Sequence, residues 1–173
     1  LIDIWQLRKR ISIVNNEIKN RFHPNIKVFD LIHSGFSGKY CKVSNPRKNE
    51  LKLVHELVEI MSLESISKKN FGYLSDGEKQ ITLIARAIIN NPEVLILDEP
   101  TVNLDLKSKY FLMGKIKYLS NLHVKILCIT HDINFITEDY NRIIFLKNRE
   151  IIADGRPDEI MNSKNINNLF DIN

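Results

Sequence analysis

Two adjacent carboxylates at the end of an apolar run are the residues in this chain best placed to do chemistry. Val94-Leu95-Ile96-Leu97 leads into Asp98 and Glu99, and Pro100 follows. An unbroken apolar run of this length reads as a strand covered on both faces in a parallel sheet. In open α/β sheets ligands bind at the C-terminal edge of such strands, and the carboxylates fall there. Neighbouring side chains leave a strand in different directions, so the two can do different jobs. Asp98 can hold Mg2+, directly or through water, while Glu99 orients and polarises an attacking water, the division of labour of phosphoryl transfer. The plainer alternative is a strand ending in a solvated acidic turn.

Other segments add to this pair. Ser75-Asp76-Gly77-Glu78 stands just before a helical pattern. Ser-x-x-Glu is a capping box, which satisfies two orphan N–H groups of a helix. The same geometry is an anion site, because Ser75 offers a hydroxyl and Gly77 lets a phosphate come close to the backbone. His131 follows a second apolar run and precedes Asp132. It is either structural or a donor to a phosphate oxygen. Asp105 reads as the N-cap of the helix after it.

The elements that must position these residues alternate. Ile11 to Val14 is a strand candidate. Lys27 to Ser34 reads as a short helix, and Gly35, Gly38 and Ser44-Asn45-Pro46 mark a loop. From Asn49 to Leu63 the positions Leu53, Leu57, Val58 and Met61 recur at helical spacing. Residues 17–73 are therefore expected to be mainly helical. Ile81, Ile84, Ala85, Ile88 and Ile89 form an apolar stripe that Asn90-Asn91-Pro92 ends. A helix from about Asp105 to Leu119 and a second buried strand at Lys125 to Thr130 follow, with Cys128 a small core side chain. Asp132 opens a short helix. Ile143 to Leu146 and Glu150 to Ala153 form two strands joined by a turn at Lys147-Asn148-Arg149. Arg156-Pro157-Asp158-Glu159 starts a last helix. Strand, helix and strand in alternation mean an α/β fold with a parallel sheet.

Composition narrows the class. Hydrophobic residues at 43% and charged residues at 27% of 173 are globular values. The net charge of +4 comes from lysines and arginines spread along the chain, so no nucleic acid is expected as a partner. No run approaches the ~18 apolar residues of a membrane span. With only Cys41 and Cys128 there is no disulfide framework, and a cytoplasmic location is expected. The histidines and cysteines show no zinc-ligand spacing. The first residue is Leu, which suggests a piece of a longer protein.

Taken together, the motifs resemble the ATP-binding subunit of ABC (ATP-binding cassette) transporters. Leu74-Ser75-Asp76-Gly77-Glu78-Lys79-Gln80 is similar to the family's signature motif. Asn91-Pro92 to Pro100 is similar to its Walker B segment, Asn103-Leu104-Asp105 to its D-loop and Thr130-His131-Asp132 to its H-loop. The resemblance implies a P-loop NTPase-like (RecA-like) parallel sheet with a helical subdomain inserted before the signature. Residues 1–16 would end the N-terminal part at the Q-loop, 17–73 would be the helical subdomain and 74–173 the RecA-like core. It implies ATP and Mg2+ as ligands. Asp98 would hold the metal, Glu99 would be the general base and His131 would contact the γ-phosphate. Ser75, Gly77, Glu78 and Asp105 would meet the nucleotide of the other subunit in a head-to-tail dimer. A transmembrane permease would contact residues 17–73, placing the protein on the inner face of the cell membrane. Leu7-Arg8-Lys9-Arg10-Ile11 resembles the uptake cassettes.

The departures are specific. Asn16 stands where the Q-loop glutamine is expected. Asp76 replaces the commonest Gly of the signature, Glu78 its Gln, and Ile81 an Arg. No Gly-x4-Gly-Lys-Ser/Thr occurs in the chain. Gly35-Phe36-Ser37-Gly38-Lys39-Tyr40 is a decoy with the wrong glycine spacing, behind a helix rather than a strand. These residues alone are expected to bind ATP weakly and to be inactive as an ATPase. The alternative readings are a soluble ABC-type ATPase of the translation-factor kind and a catalytically silent remnant.

Overall fold

The computed structural model describes residues 10–122, 124–137 and 139–172. The Leu7–Lys9 part of the uptake-cassette pattern, and residues 1–9 of the expected N-terminal part, lie outside them. The chain divides into two compact units, Leu1–His131 and Asp132–Asn173.

The first unit opens with strand β1 (Ile11–Val14) and a three-ten turn, Asn16–Arg21, whose cap Asn15 accepts from Ile18 N–H at 3.1 Å. Helices α1 (Val28–His33), α2 (Lys48–Ile60) and α3 (Asp76–Ile88) follow. Then come β2 (Val94–Asp98), α4 (Leu106–Asn121) and β3 (Lys125–Ile129). The strands pair in parallel in the order β1-β2-β3, with Ile13 opposite Ile96 and Asp98 opposite Ile129. Parallel neighbours need a crossover, and α4 supplies the one between β2 and β3. All three strands therefore end on the same edge.

Burial departs from the expectation. Val14, Leu95 and Leu97 are fully covered on one face of the sheet. On the other face Ile13, Leu127 and Ile129 are each about half exposed, at 54%, 51% and 50%. So β2 is covered on one face rather than both. β3 is an edge strand whose residues are half-buried or exposed, and Cys128 is half-buried. An apolar run reports the demand of a strand for cover; which face receives it is set by elements far away in sequence.

In the helical part, α2 and its C-cap bury Val54, Val58 and Met61, the i, i+4, i+7 face, and leave Leu53 exposed. The stripe read from the sequence is thus displaced by one position at its start. Glu50 closes the first turn of α2 by accepting from Arg47 N–H at 3.2 Å. Helix α3 packs against α1, β1 and α4, so it is buried all round from Gln80 to Ala85 rather than along one stripe. Ser12 Oγ ties β1 to α3 by donating to the Ala87 carbonyl at 2.7 Å. The decoy loop has a packing role: a Cβ on Gly35 would stand 2.4 Å from the Arg86 carbonyl oxygen.

The second unit starts with a single three-ten turn, Ile133–Phe135, capped by Asp132. Strands β4 (Ile143–Lys147) and β5 (Glu150–Gly155) form an antiparallel hairpin. Its two-residue turn has Asn148 and Arg149 at φ 51° and 68°, the signature of a type I′ turn, which matches the strand twist. Helices α5 (Pro157–Ile160) and α6 (Ser163–Phe170) follow, two elements where one was expected. Ile143, Phe145 and Ile160 form the core of this unit.

Candidate functional site

The C-terminal edge of the sheet gathers the first group of residues. Asp98 ends β2 and is half-buried, and Asn16 begins the turn just beyond β1, also half-buried. Glu99 follows Asp98 with φ at 49°, in the left-handed region. A non-glycine residue there costs about 1–3 kcal/mol and persists only where its surroundings hold it. Here the holds are visible. Glu99 N–H donates to the Ile129 carbonyl at 2.8 Å, and Val102 N–H donates to the Glu99 carbonyl at 3.3 Å. Pro100 and Thr101 below it are buried. The kink takes the carboxylate off the strand direction and across to the end of β3.

There it meets His131. Nδ1 of His131 lies 2.6 Å from Glu99 Oε1, and the backbone N–H of His131 donates to the same oxygen at 3.1 Å. Thr130 Oγ1 makes a longer contact of 3.4 Å with Oε2. An ionised carboxylate only accepts, so the proton of this short contact belongs to Nδ1, and Nε2 is left for another partner. The His131 side chain is 75% exposed against 26% for Glu99. One carboxylate oxygen is thus occupied twice by His131, and the other is the freer for a water.

The second group surrounds the first turns of α3 and α4. The capping box is present: Glu78 N–H donates to Ser75 Oγ at 3.2 Å and Ser75 N–H donates to Glu78 Oε2 at 2.8 Å. Asp105 caps α4, accepting from Ser108 N–H at 2.9 Å and from Ser108 Oγ at 2.8 Å. These donors hold the Asp105 carboxyl below its ordinary value, the Ser108 backbone N–H first. The two caps meet in one pocket of about 270 Å³, to which Ser75, Gly77, Glu78, Asp105 and Ser108 contribute. Gly77 permits the approach, since a Cβ there would stand 2.7 Å from Ser108 Oγ and 2.8 Å from Ser108 Cβ.

Two of the departures acquire a setting. Lys19, on the turn after β1, is partly buried, which lowers its pKa, and the opposing charge of Asp76 favours its protonated form. The extra carboxylate of the signature therefore has a cation near it. At the far end of α3, Arg86 stacks over the rings of Phe22 and Tyr40 at 5.0 and 5.1 Å. It also donates to Ser34 Oγ at 3.2 Å and to the Lys39 carbonyl at 3.0 Å. Phe22 in this way ties the segment after β1 to the far end of the helix that carries Ser75.

The structure brings Glu99 and His131 into contact and places Asp98 and Asn16 on their edge. It gathers Ser75, Gly77, Glu78 and Asp105 separately. Ser108, Lys19 and Arg86 were missed from sequence and carry no local signal; Thr130 was read as part of the H-loop match, without a role of its own.

Known proteins similar to this chain are numerous. A family model described as ABC transporter matches residues 2–102. YmeB of Lactococcus lactis subsp. lactis (strain IL1403), an ABC transporter ATP-binding protein, is 34% identical over 170 residues, covering 97% of this chain and 66% of that protein. Among solved structures, cbiO1 from Clostridium perfringens, part of the ABC transporter complex cbiONQ, superposes with a TM-score of 0.79. It is 27% identical, over 94% of this chain and 63% of that one. The dimeric structure of the ABC transporter cassette MJ0796 superposes at 0.71 with 27% identity, over 90% and 68% of the two chains. The chain spans 57–66% of the length of three of the curated relatives it matches. The fold is that of the ABC ATPase cassettes, a P-loop NTPase fold. By its motifs, its fold and a family match over more than half its length, the chain belongs to the ABC transporter ATP-binding family.

Proposed function

We propose that the chain carries one share of a composite ATP-hydrolysis site, in a subunit that drives transport across a membrane. The observation that supports this best is the Glu99–His131 pair on the edge of the sheet, 2.6 Å apart. Glu99 takes the proton of the attacking water through its freer oxygen, Oε2. His131, its Nδ1–H fixed by Glu99, directs Nε2 to a γ-phosphate oxygen and donates to it in the doubly protonated imidazolium form. Asn16, standing for the Q-loop glutamine, helps to orient the water. Ser75, Gly77, Glu78 and Asp105 offer their pocket to the nucleotide held by a second cassette. Nucleotide then joins two subunits, and hydrolysis releases them.

Asp98 suits Mg2+. This ion is usually held by one or two carboxylates together with phosphates and waters. The described residues contain no cluster of three ligating side chains that would cage a metal by themselves. When bound there, Mg2+ would neutralise charge on the phosphates.

The remaining assignments belong to the same reading. Residues 1–16, 17–73 and 74–173 correspond to the segment ending at the Q-loop, the helical subdomain and the RecA-like core. Residues 17–73 face a transmembrane permease, which places the subunit at the inner face of the membrane. No helix among the described residues is long and apolar enough to cross a membrane.

Glu99→Gln keeps the size of the side chain and removes the base. In the intact protein it lowers the steady-state rate of ATP hydrolysis by about 100-fold or more, while ATP affinity stays within about threefold of wild type. Unchanged turnover would remove Glu99 from its role.

A further inference from the structure

Among the described residues, Gln80 is the buried side chain whose polar atoms go unpaired. It is 1% exposed, and neither Oε1 nor Nε2 has a hydrogen-bond partner. Its neighbours along α3, Ile81, Leu83, Ile84 and Ala85, are buried and apolar. Buried polar groups are almost always hydrogen-bonded, and an orphaned donor and acceptor together lower stability. A methionine would fill a similar volume without that cost. A glutamine kept in such a place serves a state in which its amide is paired.

Its level in the fold points to the partner. Ser12 Oγ of β1 donates to the Ala87 carbonyl at 2.7 Å. Gln80 lies seven residues before Ala87, so it shares that face of α3, about 10.5 Å nearer the helix N-terminus. Helix α3 packs on β1 and leads through the short connection 89–93 into β2, which is parallel to β1. The helix therefore runs back along the sheet, antiparallel to both strands. Three strand residues of about 3.3 Å each cover the same distance. Counted from Ser12 they end at Asn15, next to Asn16. The charges of Asp76 and Lys79, on the helical turn that leads to Gln80, both act on Lys19 of the turn after β1.

That turn is suited to rearrange. Asn16–Arg21 is three-ten and contains no buried residue. Hydrogen-bond geometry in a three-ten turn is poorer than in an α-helix, so less is lost when it shifts.

We propose that Gln80 is a positioning residue for ATP hydrolysis: when nucleotide closes the site, its amide pairs with the backbone at Asn15 and Asn16 and fixes the Asn16 side chain at the attacking water. Gln80 itself touches neither nucleotide nor water. Its role rests on the reading in which Asn16 orients that water.

The test uses the intact protein with Gln80→Met and Gln80→Leu, which keep most of the bulk and remove the amide. Without nucleotide both variants melt about 2 °C or more above wild type. Their kcat for ATP hydrolysis falls about tenfold or more, while KM stays within about twofold. In a Glu99→Gln background MgATP raises the melting temperature less once Gln80→Met is added. In an Asn16→Ala background Gln80→Met causes no further fall in kcat. A lower melting temperature in both variants overturns the proposal, since the amide is then already paired, as by a buried water. Unchanged kcat overturns it, and so does a further, independent fall in the Asn16→Ala background; neither result touches the role of Asn16. Unchanged kcat in Asn16→Ala alone removes Asn16 from its role, and Gln80 with it.

Discussion

Glu99 occupies a backbone conformation that a side chain of its kind rarely adopts, and its carboxylate is held by the end of the neighbouring strand. Strain of this sort is kept where geometry matters more than local stability. Its place in the chain was legible from the apolar run before it; its left-handed φ was not, because the constraint comes from Ile129 and His131 across the sheet. Gly77 is the complementary case, a residue chosen for what it lacks. Gly77→Ala drives a methyl group into Ser108, at a cost of about 1–2 kcal/mol after the gain in helix propensity. In a Ser108→Gly background the same substitution costs nothing or stabilises. Denaturant titration of the four proteins checks this, and an equal cost in both backgrounds would mean that Ser108 is not what fixes the glycine.

At the scale of elements, two caps build the pocket between α3 and α4. The Ser75–Glu78 box was legible because capping depends on residues three apart, and so was Asp105. The pocket they form together was not, since it needs the packing of α3 on α4 through Gly77 and Ser108. The stripe of α2 shows the same limit: periodicity announced the helix, while the choice of Val54 over Leu53 for the buried face follows from what the helix packs against. The Asp105 cap makes a pH-dependent contribution. Its carboxyl is held below the ordinary range in the folded chain, so its stabilisation is fully present above that range and is lost as pH falls through the lowered value. Asp105→Ala therefore destabilises at neutral pH, and the gap to wild type closes in acid well below about pH 4. Asp105→Asn, which caps without titrating, stays close to wild type at neutral pH and is the more stable of the two in acid. Thermal melts across pH read this directly, and a gap that is constant with pH would contradict the cap.

For the whole molecule, the order of strands and helices in the chain was enough to anticipate an α/β fold with a parallel sheet, because the alternation leaves few other topologies. The division at His131 and the uneven cover of the sheet were not legible. Among the described residues Ile13, Leu127 and Ile129 leave one face of the sheet about half exposed. The chain also spans less than two thirds of the length of curated relatives it matches. A site shared between two subunits fits the two separate groups of residues: in the proposed reading the Glu99–His131 edge would serve one nucleotide and the Ser75–Asp105 pocket another. The most direct measurement is the mass in solution of the intact Glu99→Gln protein, by light scattering with and without MgATP. A shared site with Glu99 as the base predicts that MgATP doubles the mass of this variant, and that adding Ser75→Arg, which blocks the pocket, abolishes the doubling. A mass that is the same with and without MgATP would contradict it.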